Sequence, residues 1–130
     1  MALFANLRIS ASGLTANRLW LDLIANNIAN ANTTRTANGE PFRRQMALFA
    51  PRGNLGGVQV GRVATDPADF PVIYHPGHPD ADANGYVRLP NVDPLREMVD
   101  MLTASRAYEA NLTVFNNSKQ MFQNALNIGR

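Results

Sequence analysis

The chain has 130 residues and a mass of 14.2 kDa, a length that suits one domain. It contains no cysteine, which excludes a disulfide framework, a thiolate zinc site and thiol catalysis. Twelve basic residues nearly cancel ten acidic ones, leaving +2 despite a pI near 9.5. Arg43–Arg44 is the one adjacent basic pair, so no patch that would follow a phosphate backbone is visible.

Two biases say more. Arginine outnumbers lysine 11 to 1, and 15 asparagines fall largely in segments that otherwise read as helix. Asparagine is a mediocre helix former, so its repeated use points to carboxamides wanted for hydrogen bonding. No apolar run approaches the ~20 residues that span a bilayer. The start, Met1 to Arg8, lacks the basic-then-apolar order of a secretory signal. The expectation is a chain that stays in the cytoplasm or leaves it without a cleaved leader.

Three segments follow in order: 1–31 helical, 32–91 irregular, and 92–130 helical. The middle holds seven of the eight prolines and seven of the nine glycines. In the first segment apolar positions alternate in steps of four and three, from Leu3 through Leu7, Leu14, Leu21, Ile24 and Ile28 to Ala31. Ser10 and Asn17 interrupt the second row. Such a narrow seven-residue seam suits packing against another helix. Leu19, Trp20 and Leu23 form a second apolar strip. The segment spans about 43 Å as a helix. Gly13 costs ~1 kcal/mol relative to alanine, so fraying is expected before it.

In the middle, Met46–Ala50, Val58–Ala64, Val72–Tyr74 and Tyr86–Leu89 read as strands. Turn signals surround them at Asn38–Gly39, Gly56–Gly57, Pro76–Gly77 and Asn84–Gly85. A small antiparallel ribbon or sheet is expected.

The last helix opens with Asp93 as N-cap and Pro94 at the first helical position. Glu97 favours the positive end of the helix dipole, and Gly129 is a plausible stop. The seam is read as Met98, Met101, Ser105, Tyr108, Leu112, Phe115, Lys119, Phe122 and Leu126. Leu95, Val99 and Leu102 add a strip near its start. Two helices this long are expected to pair by their seams, leaving both extra strips open to other molecules.

Catalytic signals are sparse. His75 and His78, with Asp80 and Asp82 close by, sit in a proline-rich turn that reads better as solvated loop than as metal site. The aspartates come with no nucleophile-and-base pair, and no glycine loop precedes a helix. No cofactor is expected. Two polar clusters stand out: Asn26-Asn27-Ile28-Ala29-Asn30-Ala31-Asn32, and Ser105-Arg106-Ala107-Tyr108-Glu109-Ala110-Asn111. The first reads equally as a helix end dissolving into a loop, where asparagine favours turns, or as contacts between subunits; the second reads equally as exposed surface or as such a contact. In the second, Arg106 can make a forked bond to a carboxylate.

At these clusters the chain resembles the flagellar rod, hook and hook-filament axial proteins. Ala25–Thr34 is similar to their N-terminal signature, and Met98–Asn111 to their C-terminal one. Gly85–Asp93 and the short middle resemble the proximal rod members. Arg88 and Leu89 stand where lysine and methionine are commoner in that family. The resemblance implies a mainly α fold, with N- and C-terminal helices paired as a coiled-coil-like bundle and a small β/loop middle. It implies a structural subunit of the basal-body rod, not an enzyme. Such a subunit leaves the cell unfolded through the flagellar type III export apparatus. It then assembles helically into the drive shaft crossing the periplasm. Implied partners are further copies of itself, other rod proteins and the ring-to-rod adaptor FliE. Assembly contacts are expected along Leu7, Leu14, Leu21 and Ile28 of the first helix and Met101, Tyr108, Phe115 and Phe122 of the last. Asn26 and Asn111 are expected at the same interface, and Asn27, Asn30 and Arg106 would fix the register between subunits. The competing reading is a coiled-coil adaptor that does not polymerise; a small hydrolase using His75 or His78 is a third.

Overall fold

A computed structural model describes residues 2–129. Helix α1 runs Ala2–Ala29. Strands β1 (Gln45–Pro51) and β2 (Val58–Thr65) pair antiparallel around a 3-10 turn at Gly53–Leu55. Strands β3 (Val72–Tyr74) and β4 (Tyr86–Arg88) make a second antiparallel pair, and helix α2 runs Pro94–Ile128. All four strands fall where alternation and turn signals placed them. They form two separate two-stranded ribbons. Helix accounts for 52% of the residues and strand for 16%, so "mainly α" describes the two ends better than the ordered middle.

The helices pack antiparallel. Phe4 meets Phe122 edge to face at 5.2 Å, Gly13 abuts Asn111, and Asn27 bonds to Glu97. Numbers on facing residues therefore sum to about 125 throughout. On α1 the seam is the one read from the sequence: Ser10 and Ile24 are buried, and Leu3, Leu7, Leu14, Asn17, Leu21 and Ile28 are half-buried. On α2 half of it needs correction. Met101, Tyr108, Phe115 and Phe122 face inward as expected. The companion row is Glu97, Ala104, Asn111 and Ser118, not Met98, Ser105, Leu112 and Lys119, which lie one residue on. One residue is a rotation of about 100° on a helix. That difference turns Met98 and Leu112 outward and brings small or polar side chains inward. Small residues let the axes approach, and at Gly13 the facing side chain fills the space a Cβ would need. A Cβ there would lie 2.8 Å from the Asn111 amide nitrogen. Helix α1 runs unbroken through Gly13, so this glycine marks close helix packing and not the fraying point.

The β1–β2 ribbon lies against α1. Ser12, buried on α1, donates its hydroxyl to the Ile9 carbonyl (2.6 Å) and accepts the Val58 N–H (3.1 Å). Gly57 allows this approach: its φ is +98°, and a Cβ there would fall 2.3 Å from the Ser12 hydroxyl. Gly61 is the extra residue where the register slips opposite Leu48 and Phe49, a bulge that bends the ribbon. Trp20 packs edge to face on Phe49 at 5.7 Å. In the strip Leu19–Trp20–Leu23, Trp20 and Leu23 are thus half-buried within the chain, while Leu19 stays exposed. The counterpart on α2 is more open: Leu95 is 71% and Leu102 62% exposed.

The start of α2 is as expected. Asp93 accepts the Leu95 N–H at 3.0 Å, with Pro94 in the first turn. Gly129 ends the helix, but with φ −79° and a 3.2 Å bond from its N–H to the Ala125 carbonyl. The stop is a loose last turn, without the left-handed residue that usually makes glycine the choice.

Candidate assembly surface and the clasp that shapes it

Where α1 ends and α2 begins, five segments meet around one arginine. Arg44 leads into β1. Its side chain is 11% exposed and reaches Glu97 through Nε, Asp100 at 3.3 Å and Asp66 at 3.6 Å. Its backbone N–H donates to Asn91 Oδ1 at 2.7 Å. The Asn91 amide in turn donates to the carbonyls of Asp66 and Ala68, both at 3.1 Å. Those two carbonyls also receive Arg43, both at 2.9 Å.

Asn27 closes the other side. Its Nδ2 donates to the Gln45 carbonyl (2.8 Å) and to Glu97 Oε2 (3.1 Å), and its Oδ1 accepts the Gln45 N–H (2.9 Å). Asn27 is 1% exposed and Glu97 0%. A buried carboxylate is tolerable only when paired and fully hydrogen-bonded. Glu97 has both a guanidinium and a carboxamide, and among the described residues no buried side-chain polar atom lacks a partner. Glu97 is therefore more than the dipole-favouring residue of a solvated first turn. It is the hub that ties α2 to β1 and α1.

Beside this clasp, Phe70 is buried between two cations. The guanidinium carbons of Arg43 and Arg88 lie 4.2 and 4.8 Å from its ring centre, within reach of a cation–π attraction. Phe70, Asp66, Asn91, Arg44 and Glu97 as a site were beyond the sequence reading. The available signal was Glu97's place on the four-and-three row with Met101, Ala104 and Tyr108.

The polar residues named from the sequence separate into two groups. Asn27 works inside the chain, and so does Asn30, whose amide donates to the Asn26 carbonyl (2.9 Å) and Asn26 Oδ1 (3.1 Å) at the end of α1. Asn26 is exposed and donates to Gln45 Oε1 at 3.0 Å. Asn111 lies half-buried against Gly13. Arg106 is exposed, and among the described residues it has no hydrogen bond or ion pair. The leucine and aromatic positions form the intrachain seam.

His75 and His78 meet edge to face at 5.7 Å, and His78 Nδ1 accepts the Asp80 N–H at 3.0 Å. Among the described residues no three carboxylates or imidazoles gather as a metal site. No described helix is long and apolar enough to cross a membrane.

Among the open surfaces, two run along the helices. One is the strip Leu95, Met98, Val99 and Leu102 on the outer face of α2. The other is a groove of about 460 Å³ between α1 and β2, floored by Ala11, Ala16, Val58 and Val60, with Arg8 and Arg52 at one end. Paired helices with apolar surface left over fit a building block that packs against neighbours.

Comparison with known proteins decides which. Residues 7–35 match the family model described as flagella basal body rod protein, and residues 83–128 match the flagellar basal body rod FlgEFG protein C-terminal model. The flagellar basal-body rod protein FlgC of Borreliella burgdorferi is 47% identical, with 98% of each chain covered. Those of Bacillus subtilis and Salmonella typhimurium are 43% and 41% identical over the full length of both chains. The chain belongs to the flagellar basal-body rod proteins of the FlgC type. A rod protein of this family is a structural subunit of the basal body, not an enzyme. The two matched stretches hold most of α1 and all of α2, so the family signature is the helical hairpin. The ribbons between them lie largely outside both matches.

Proposed function

We propose that the chain is a subunit of the proximal part of the rod. It is exported unfolded by the flagellar type III apparatus and added helically to a shaft that transmits torque across the periplasm. Its neighbours are further copies, other rod proteins and the ring-to-rod adaptor FliE. Residues 1–31 and 92–130 form the inner axial part, paired in coiled-coil fashion, and 32–91 lies further out. The apolar strip on α2 carries this reading: four large side chains stay in water although the seam beside them is closed. Fully burying one such side chain stabilises by roughly 1.5–3 kcal/mol, so association is strongly favoured.

Leu7, Leu14, Leu21, Ile28, Met101, Tyr108, Phe115 and Phe122 hold the pair together and present their exposed edges to adjoining subunits. Asn27, Asn30 and Arg106 set the register, some of them through the clasp, with Asn26 and Asn111 at the same interface. Circular dichroism of the dilute chain against purified basal bodies tests the coupling of order to assembly. A gain in helix on assembly is expected as the helix tips, which have little to pack on in a single chain, become ordered. Equal helicity in both states would remove the coupling of tip order to assembly, and absence of the chain from purified basal bodies would remove the rod reading itself.

A further inference from the structure

The open strip on α2 and the groove beside α1 are different surfaces, and their features match along their length. On α1, Arg8 and Asp22 are exposed and 14 residues apart, with Thr15 and Leu19 between them on the same face. That separation is about 21 Å. On α2, Arg106 is exposed on the same face as Leu95, Val99 and Leu102, four residues beyond the strip. Asp93, exposed as the N-cap that accepts the Leu95 N–H, lies just before the helix at the strip's other end, about 20 Å from Arg106. Laid parallel at offsets of 83 to 85 residues, the two sets fall near one another. Asp93 falls beside Arg8 and Arg52, Leu95 beside Ala11, Val99 beside Thr15, Leu102 beside Leu19, and Arg106 beside Asp22. Charges of opposite sign meet at both ends, and apolar side chains meet the apolar floor between. Neither the Asp22 nor the Arg106 side chain has a hydrogen bond or ion pair among the described residues.

We infer that the strip of α2 in one copy seats in the α1–β2 groove of the next copy, parallel to α1, with Arg106 paired to Asp22. This rests on the rod reading and specifies its contact. The contact is heterologous: each seated copy still offers one free groove and one free strip. Contacts of that kind extend as an open helical array unless the rotation closes a ring. The antiparallel alternative places Arg106 beside Arg8 and Arg52, where like charges repel, so the charges select the direction as well as the register.

Charge exchange tests it in the flagellated cell that makes this protein. Asp22→Arg and Arg106→Asp, each alone, should lower the amount of chain in purified basal bodies at least tenfold. Asp22→Arg with Arg106→Asp should restore it to within about twofold of the unaltered chain. Both positions are exposed, so melting curves of the purified variants should match that of the parent. Singles that incorporate normally, or a double that stays as low as the singles, would overturn the contact. The rod reading would stand in either case, provided the unaltered chain is found in basal bodies.

A second measurement is independent of charge. The chain has no cysteine, so Leu19→Cys chains can be mixed with Leu102→Cys chains and oxidised at high concentration. A disulfide-linked pair is expected in the mixture and not in either variant alone. No mixed pair, or equal crosslinking of each variant with itself, would overturn the register.

Discussion

At the scale of single residues, the clasp shows how a charge survives in an interior. Glu97 is fully buried, and its two oxygens are divided between the Arg44 guanidinium and the Asn27 carboxamide. Removing one partner leaves the other charge uncompensated, which usually costs about 3–5 kcal/mol. Arg44→Met is therefore expected to lower unfolding free energy by about that amount in urea titration. Asn27→Ala leaves Glu97 its arginine but strips both backbone groups of Gln45 of their partner. Each unsatisfied buried group costs about 1–3 kcal/mol, so losing both puts the expected loss at about 2–6 kcal/mol, comparable with that of Arg44→Met. A loss below about 1 kcal/mol would mean that Asn27 does not hold the start of β1 in place. By contrast, Arg35–Asp80 joins an arginine side chain 68% exposed to a carboxylate at 3.0 Å, and pairs of that kind contribute little.

At the scale of elements, the helix pair is set by an alternation of large and small. One row of α2 is Met101, Tyr108, Phe115 and Phe122; the other is Glu97, Ala104, Asn111 and Ser118. The small and polar row lets α1 come close, and at Gly13 the space is filled by Asn111. A leucine at Gly13 has no room beside Asn111 and should push the axes apart. Overpacking of this sort costs typically about 1–3 kcal/mol. Gly13→Leu is expected to lower the melting temperature, and Asn111→Ala in the same chain should recover part of the loss. If Asn111→Ala gives no recovery, the two residues do not share the space the structure gives them. At the other face of α1, Trp20 and the Ser12–Val58 bond hold the β1–β2 ribbon. A two-stranded ribbon is marginal alone in water, so the helix is what makes it stable.

At the scale of the molecule, order is uneven along the hairpin. The clasp end joins five segments through buried polar bonds. The far end is two helix tips, and from Gln123 onward every described residue of α2 is exposed. Since Phe4 faces Phe122, the last turn of α2 extends past the start of α1 and has little to pack on. Regions with few buried contacts open at low free energy. Amide hydrogen exchange is expected to be fastest over 123–129 and slowest in the first turns of α2 around Glu97 and Met101. Slow exchange at the tip of a dilute chain would show that it needs no neighbour to stay folded. Ordering each backbone residue costs roughly 1–2 kcal/mol, and burial of that tip and of the Leu95–Leu102 strip by adjacent chains would offset the cost.

What could be read from residues alone was local. Helix extents, the Asp93 cap, the four strands and the seam of α1 follow from spacings of two to four residues and from turn chemistry, which act within a few positions of one another. The aromatic row of α2 was legible for the same reason. Its companion row was not. Met98, Leu112 and Leu126 are the more apolar choice, and periodicity ranks a face by hydrophobicity. The fold instead turned Glu97 inward, because Arg44 and Asn27, distant in sequence, arrive there together to satisfy its charge. The covering of Trp20 by Phe49 and the closeness of Gly13 to Asn111 are of the same kind. Each depends on which distant segment comes to lie alongside, and only the packed chain brings those partners together.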